Sequence, residues 1–155
     1  LTLAESVTLT AIRRLLLGIV IFGVGGMGAE LLFIGHVEGV LQLIPVALLA
    51  CGFAILVWHA VAPRRETLRA LQALMGLFVL SGGIGVVLHY QGNVAFELEM
   101  YPTLSGMELV SRTLTGATPV LAPGSMTLLG LVGLAATYRH PLVQQRPFFG
   151  REEVS

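Results

Sequence analysis

The sequence predicts an all-α integral membrane protein, a four-helix bundle with both termini inside and a short outer helix between the third and fourth spans. Three observations carry this. Only 12% of the 155 residues are charged against 55% hydrophobic, where a soluble domain carries roughly 25% charge; mean hydropathy is +0.84. Four apolar runs approach the ~20 residues that a helix needs to cross the hydrocarbon core. None shows the polar stripe that a helix of a soluble bundle turns to water.

The first span, 15–35, follows Arg13-Arg14 and holds one charge, Glu30. A basic pair, an apolar run and small residues also make up the layout of a signal peptide; the run is expected to remain in the mature protein. The second span, 41–62, carries no charge and has His59 near its end. The third, 70–90, is also uncharged, with His89 near its end. The fourth, 119–138, contains Pro119 and Pro123. Proline is tolerated at the first helical position, so its regular helix is expected to start at Pro123, which leaves a short span supported by its neighbours or by local bilayer thinning. The outer loop covers 91–118 and the inner tail 139–155.

Arginine placement sets the predicted topology. With the N-terminus inside, Arg13, Arg14, Arg64, Arg65, Arg69, Arg139, Arg146 and Arg151 face the cytoplasm, and Arg112 alone lies outside. That is the positive-inside pattern. Trp58, Tyr90 and Tyr138 fall at span ends, where amphipathic rings settle. The arginine bias and compact design point to a prokaryotic cytoplasmic membrane.

In the first span, FGVGGMGAE contains a literal GxGxxG at Gly23, Gly25 and Gly28. A dinucleotide fold would need an acidic residue about 20 positions later, on a second strand. The chain reads LLACGFA there. In a membrane helix, glycines let a second backbone approach. Gly25 and Ala29 have that spacing, Ser81 and Gly85 offer a matching patch on the third span, and Ala47 and Cys51 one on the second. A single cysteine excludes an intramolecular disulfide and a cysteine zinc cluster.

In the outer loop, Val94, Phe96, Leu98 and Met100 alternate with Ala95, Glu97, Glu99 and Tyr101, which predicts a short extended stretch up to Pro102. Ser105 and Glu108 make a capping-box pattern, with Gly116 as the stop. Met107, Val110 and Leu114 share one face of the resulting helix, expected to lie against the outer surface or a partner.

Chemistry-bearing residues are few. His36 and His89 end spans at the outer face; His59 and His140 lie at the inner face. Facing imidazoles from neighbouring helices ligate haem, or singly a chlorophyll-type magnesium, so His36 and His89 are candidate cofactor ligands; the alternative is that histidine simply suits the interface. His36, Glu38, Glu97 and Glu99 form a candidate metal set of mixed imidazole and carboxylate, against a plain solvated acidic loop. Glu30 lies about five residues, roughly 8 Å, inside the outer end of its span. A carboxylate at that depth faces a partner or cavity, with Arg112 one candidate. No nucleophile with an arranged base, and no GxSxG, HExxH or Walker loop, is present. The function expected is an accessory or structural subunit of a larger membrane complex. Its partners are other integral membrane proteins and the bilayer, not nucleic acid. A tetrapyrrole-binding or electron-transfer protein, and an ion or metal transport component, are the alternatives.

Overall fold

The computed structural model describes residues 3–144, and within them every regular element is a helix. In chain order these are α1 (Leu3–Phe33), α2 (Val40–Val61), α3 (Arg65–Met100), α4 (Gly106–Leu114), α5 (Gly124–Thr137) and α6 (Pro141–Gln144). Three of them, α1 to α3, are long and apolar enough to cross a membrane, and α5 is a shorter apolar helix. Most of the expected tail 139–155, including Arg146, Arg151, Glu152 and Glu153, lies outside the described residues.

The helices are longer than the apolar runs that announced them. α1 begins at Leu3 rather than near Leu15, because Ala, Glu and Leu before Arg13 favour helix and no glycine or proline interrupts them; charge limits entry into lipid, not helix formation. It ends in a Schellman turn: Gly35 adopts φ 68°, with Gly35 N–H bonded to Leu32 O at 3.2 Å and His36 N–H to Leu31 O at 2.9 Å. The Ala62–Arg64 connection is short, so α2 and α3 are antiparallel neighbours. Pro63 cannot continue α2, and Thr67 closes the turn, its hydroxyl accepting from Arg64 N–H at 3.1 Å and donating to Arg64 O at 2.9 Å.

α3 runs unbroken for 36 residues, about 54 Å at helical rise, well beyond the ~30 Å hydrocarbon core. The extended stretch expected over Val94–Tyr101 is therefore corrected to helix as far as Met100. Burial explains it: Asn93, Val94, Glu97 and Leu98 turn inward while Ala95, Phe96, Glu99 and Met100 face out, the 3.6-residue period rather than the alternation of a strand. The capping box is also corrected. Ser105 sits at the N-cap of α4 but makes no capping bond, and Glu108 pairs instead with Arg112 at 3.2 Å. The face of Met107, Val110 and Leu114 is exposed. α4 ends at Leu114, before Gly116, where a Cβ would lie 3.0 Å from the Asn93 amide.

The four apolar helices touch in cyclic order, α1 with α2, α2 with α3, α3 with α5 and α5 with α1. Val20 and Val24 of α1, Leu49 and Leu56 of α2, Leu71, Met75 and Phe78 of α3 and Met126 of α5 fill the centre. The most extensive interface is α3 with α5, and glycine makes it possible. A Cβ on Gly130 would stand 2.6 Å from Met75 O, and one on Gly82 2.6 Å from Thr127 N. Gly133 sits on the Met75 side chain, and Gly85 on Pro123. Thr127 donates to Val79 O at 3.3 Å and Gln72 Nε2 to Thr137 O at 3.4 Å across the same seam. Helix pairs in lipid gain stability from close packing and interhelical hydrogen bonds, since apolar area alone favours lipid contact equally.

Gly130→Val should therefore push the two backbones apart and destabilise the fold by about 1–3 kcal/mol or more. Gly76→Ala, at a site with nothing within 4 Å of the added carbon, should be neutral or stabilising. Unfolding by SDS from mild-detergent micelles measures both.

Candidate functional site

At the end of the helical body that carries Arg13 and Arg14, α1, α2, α5 and α6 surround a cavity of about 450 Å³. Thr10, Arg13, Arg14, His59, Thr137 and His140 line it. Each polar group arrives by a local device. His59 stands on the last turn of α2, 6% exposed, its Nδ1 2.8 Å from Thr67 Oγ1. The Thr67 proton is already given to Arg64 O, so the hydroxyl accepts from His59 Nδ1–H. That leaves the lone pair on His59 Nε2.

His140 is brought back over the end of α5 by Arg139, which adopts φ 48°. Leu142 N–H donates to His140 Nδ1 at 3.3 Å, which places the proton of the neutral ring on Nε2. The two imidazoles meet edge to face, centroids 6.1 Å apart and planes at 73°. Arg13 fixes the same corner, its Nη2 donating to Tyr138 O at 3.2 Å and Arg139 O at 3.1 Å. A cation on the last carbonyls of α5 also complements the negative end of the helix dipole. Burial, and then the charges of Arg13 and His59, hold His140 below the ordinary imidazole value of 6.5.

At the opposite end the Asn93 amide is fully hydrogen-bonded, while the buried Thr113 hydroxyl has no partner among the described residues. Asn93, 2% exposed, donates through Nδ2 to Thr113 O at 2.9 Å and Thr118 O at 2.8 Å. Its Oδ1 accepts from Thr118 N–H at 3.2 Å and Thr118 Oγ1 at 2.6 Å. Both donors and both acceptor sites of the amide are used. His89 Nδ1 lies 3.2 Å from Pro119 O, which only accepts, so Nδ1 carries the proton. One turn apart on α3, these two side chains satisfy the irregular backbone leading into α5.

The residues singled out from sequence are dispersed over the surface. His36 is half-buried in the turn after α1, and Glu38 is exposed beside it, its N–H held by Gln42 Oε1 at 2.9 Å. Glu97 and Glu99 lie on the far stretch of α3. Among the described residues no three His, Cys, Asp or Glu side chains converge on a metal position, so His36, Glu38, Glu97 and Glu99 are not gathered into one ligand set. The ring pair in contact is His59 with His140, at the other end from His89. Arg112 stacks 4.7 Å above the Tyr101 ring and pairs with Glu108, not with Glu30. Glu30 is exposed, without a hydrogen-bond or ion-pair partner among the described residues.

Gly25 faces Phe53 of α2, where an added Cβ would lie 3.4 Å away, while Gly85 faces Pro123. Ala29, Ala47 and Cys51 are exposed and Ser81 half-buried. Because α1 and α3 lie diagonally across the bundle, the Gly25–Ala29 and Ser81–Gly85 patches do not meet. Sequence reasoning missed Asn93 and Thr67. Asn93 did carry a signal, as an uncharged amide just beyond an apolar run.

Asn93→Ala should cost about 2–3 kcal/mol, the penalty of stranding buried backbone partners, read as a lower SDS midpoint in micelles. His140 gives a pH dependence. The unfolded chain takes up this proton near pH 6.5 while the folded chain resists it, so stability present above 6.5 falls as pH drops through that value toward the lowered one. His140→Gln should flatten the slope of melting temperature between pH 7.5 and 5.5. No protein family, curated protein or solved structure matches the chain, and its chemistry is read from its own residues.

Proposed function

We propose that the chain crosses a prokaryotic cytoplasmic membrane four times, as a bundle of α1, α2, α3 and α5 with the arginine end inside, and serves as an accessory subunit of a larger membrane complex. Glu30 is the observation that carries this reading. From Arg14 to Glu30 is about 24 Å along the helix, so with Arg14 at one boundary the carboxylate falls some 6 Å short of the other side of a ~30 Å core. Ionisable groups at such depth face protein or water rather than lipid. Glu30 instead points away from its own helical body, on the same side of α1 as Phe22 and Gly26, at the end of an exposed i, i+4 row that starts at Gly18. Gly18 and Gly26 have nothing within 4 Å of their Cβ positions, in contrast to the filled glycines of the α3–α5 seam. A second membrane protein donating to Glu30 and packing on these glycines accounts for both features.

Tetrapyrrole binding is a second reading, and one observation favours it. With Nδ1–H given to Pro119 O, His89 keeps its Nε2 lone pair, the orientation that a carbonyl imposes on metal-ligating histidines. This reading requires a visible absorption band, lost in His89→Ala, in protein made with cofactor supplied.

The accessory reading predicts that mild-detergent extraction from native membranes yields the chain with a stoichiometric membrane partner, and that Glu30→Leu releases it. A monodisperse lone chain, or a complex indifferent to Glu30→Leu, contradicts it.

A further inference from the structure

We propose that the arginine-end cavity binds a phosphate group, carried by an anionic lipid headgroup or free in solution. The inference rests on the cavity and its charge, apart from the accessory role. Among the described residues no carboxylate lines the cavity, so the two guanidinium groups have no acidic partner among them. Arg14 has no hydrogen-bond or ion-pair partner among the described residues, and Arg13 commits only Nη2, to Tyr138 O and Arg139 O, leaving Nε and Nη1 as donors.

The two lining hydroxyls supply no donor to the cavity. Thr10 gives its proton to Ser6 O at 2.9 Å, and Thr137 to Leu134 O at 3.0 Å. The neutral tautomer of His140 set by Leu142 carries its proton on Nε2, and His140 lines the cavity. What remains as donors is two guanidinium groups and the imidazole N–H of His140, with the neutral His59 Nε2 as the one ring acceptor. Guanidinium forks match the tetrahedral oxygens of phosphate, which accept several N–H bonds at once. A metal cation is disfavoured by the same two charges.

Size and position agree. At about 450 Å³ the cavity falls within the usual range for small-molecule sites, about 300–1,000 Å³. It lies where the apolar stretch of α1 starts at Leu15 and where α2 and α5 end, the level at which basic pockets between membrane helices meet anionic headgroups.

The test uses the delipidated full chain in a neutral detergent, followed by thermal melting. Short-chain phosphatidylglycerol and inorganic phosphate are titrated separately at constant ionic strength. A saturable rise in melting temperature is expected with at least one: with phosphatidylglycerol alone if the site reads a lipid headgroup, with inorganic phosphate as well if it reads the free ion. Arg14→Gln, which breaks no internal contact, should weaken the half-saturation point at least about fivefold, the worth of one arginine near an anionic headgroup. Arg69→Gln removes the same charge from an exposed position outside the cavity and should leave it unchanged. No saturable rise with either probe, or equal loss in both variants, overturns the proposal. Its failure is separable from that of the accessory reading, which rests on co-purification through Glu30.

Discussion

The fold depends on how closely the backbones of α3 and α5 approach. α5 has 14 residues, about 21 Å of helix, and cannot span a hydrocarbon core of ~30 Å alone. Its sequence compensates by presenting Gly130 and Gly133 to Met75 and by receiving Gly82 and Gly85 of α3 against Thr127 and Pro123. Side chains on these four residues would hold the helices apart and leave the Thr127 and Gln72 hydrogen bonds unmade. Non-helical backbone at membrane depth must be satisfied within the protein. His89 and Asn93 do this for Thr118 and Pro119, so the seam and its hydrogen-bonded extension act as one support for the short helix.

The two ends of the molecule differ in how fully their polar groups are used. Around Asn93 every amide valence is occupied, which suits a fixed joint between α3 and the α4 loop. Around Arg13 and Arg14 the cationic donors exceed the acceptors that the described residues supply, and His140 resists protonation beside them. A joint whose central amide is fully used has a structural role. A cluster with surplus donors and room beside it is suited to receiving an anion.

Hydropathy made the apolar helices legible because lipid crossing depends mainly on local composition, and α1, α2 and α3 each contain such a run. Their ends were less legible. Continuation of α3 through Glu97 and Glu99 depends on Asn93, Val94 and Leu98 turning toward the rest of the protein, a tertiary fact that a short apolar–polar alternation mimics. The Ser105–Glu108 pattern failed because Arg112, one turn on, takes the Glu108 carboxylate. Histidine pairing was legible by depth only. What joins His59 to His140 is the left-handed Arg139 and the grip of Arg13 on α5, neither of which has a local signature. Glycine was legible as a packing residue but not as to partner: Gly82 and Gly130 are enclosed while Gly76 and Gly83 are open, although all four sit in similar apolar runs.

The α3–α5 seam can be tested directly by cross-linking in isolated membranes. In a Cys51→Ser background, Val86→Cys combined with Gly124→Cys places two thiols on facing positions of α3 and α5, a Cβ on Gly124 lying 3.8 Å from Val86 Cγ2, within reach of disulfide geometry. Gly83→Cys combined with Gly124→Cys puts the first thiol on the open side of α3. Rapid intramolecular disulfide formation by the first pair and not by the second is the result the seam predicts. Failure of the first pair to cross-link, or equal reaction of both, would contradict it.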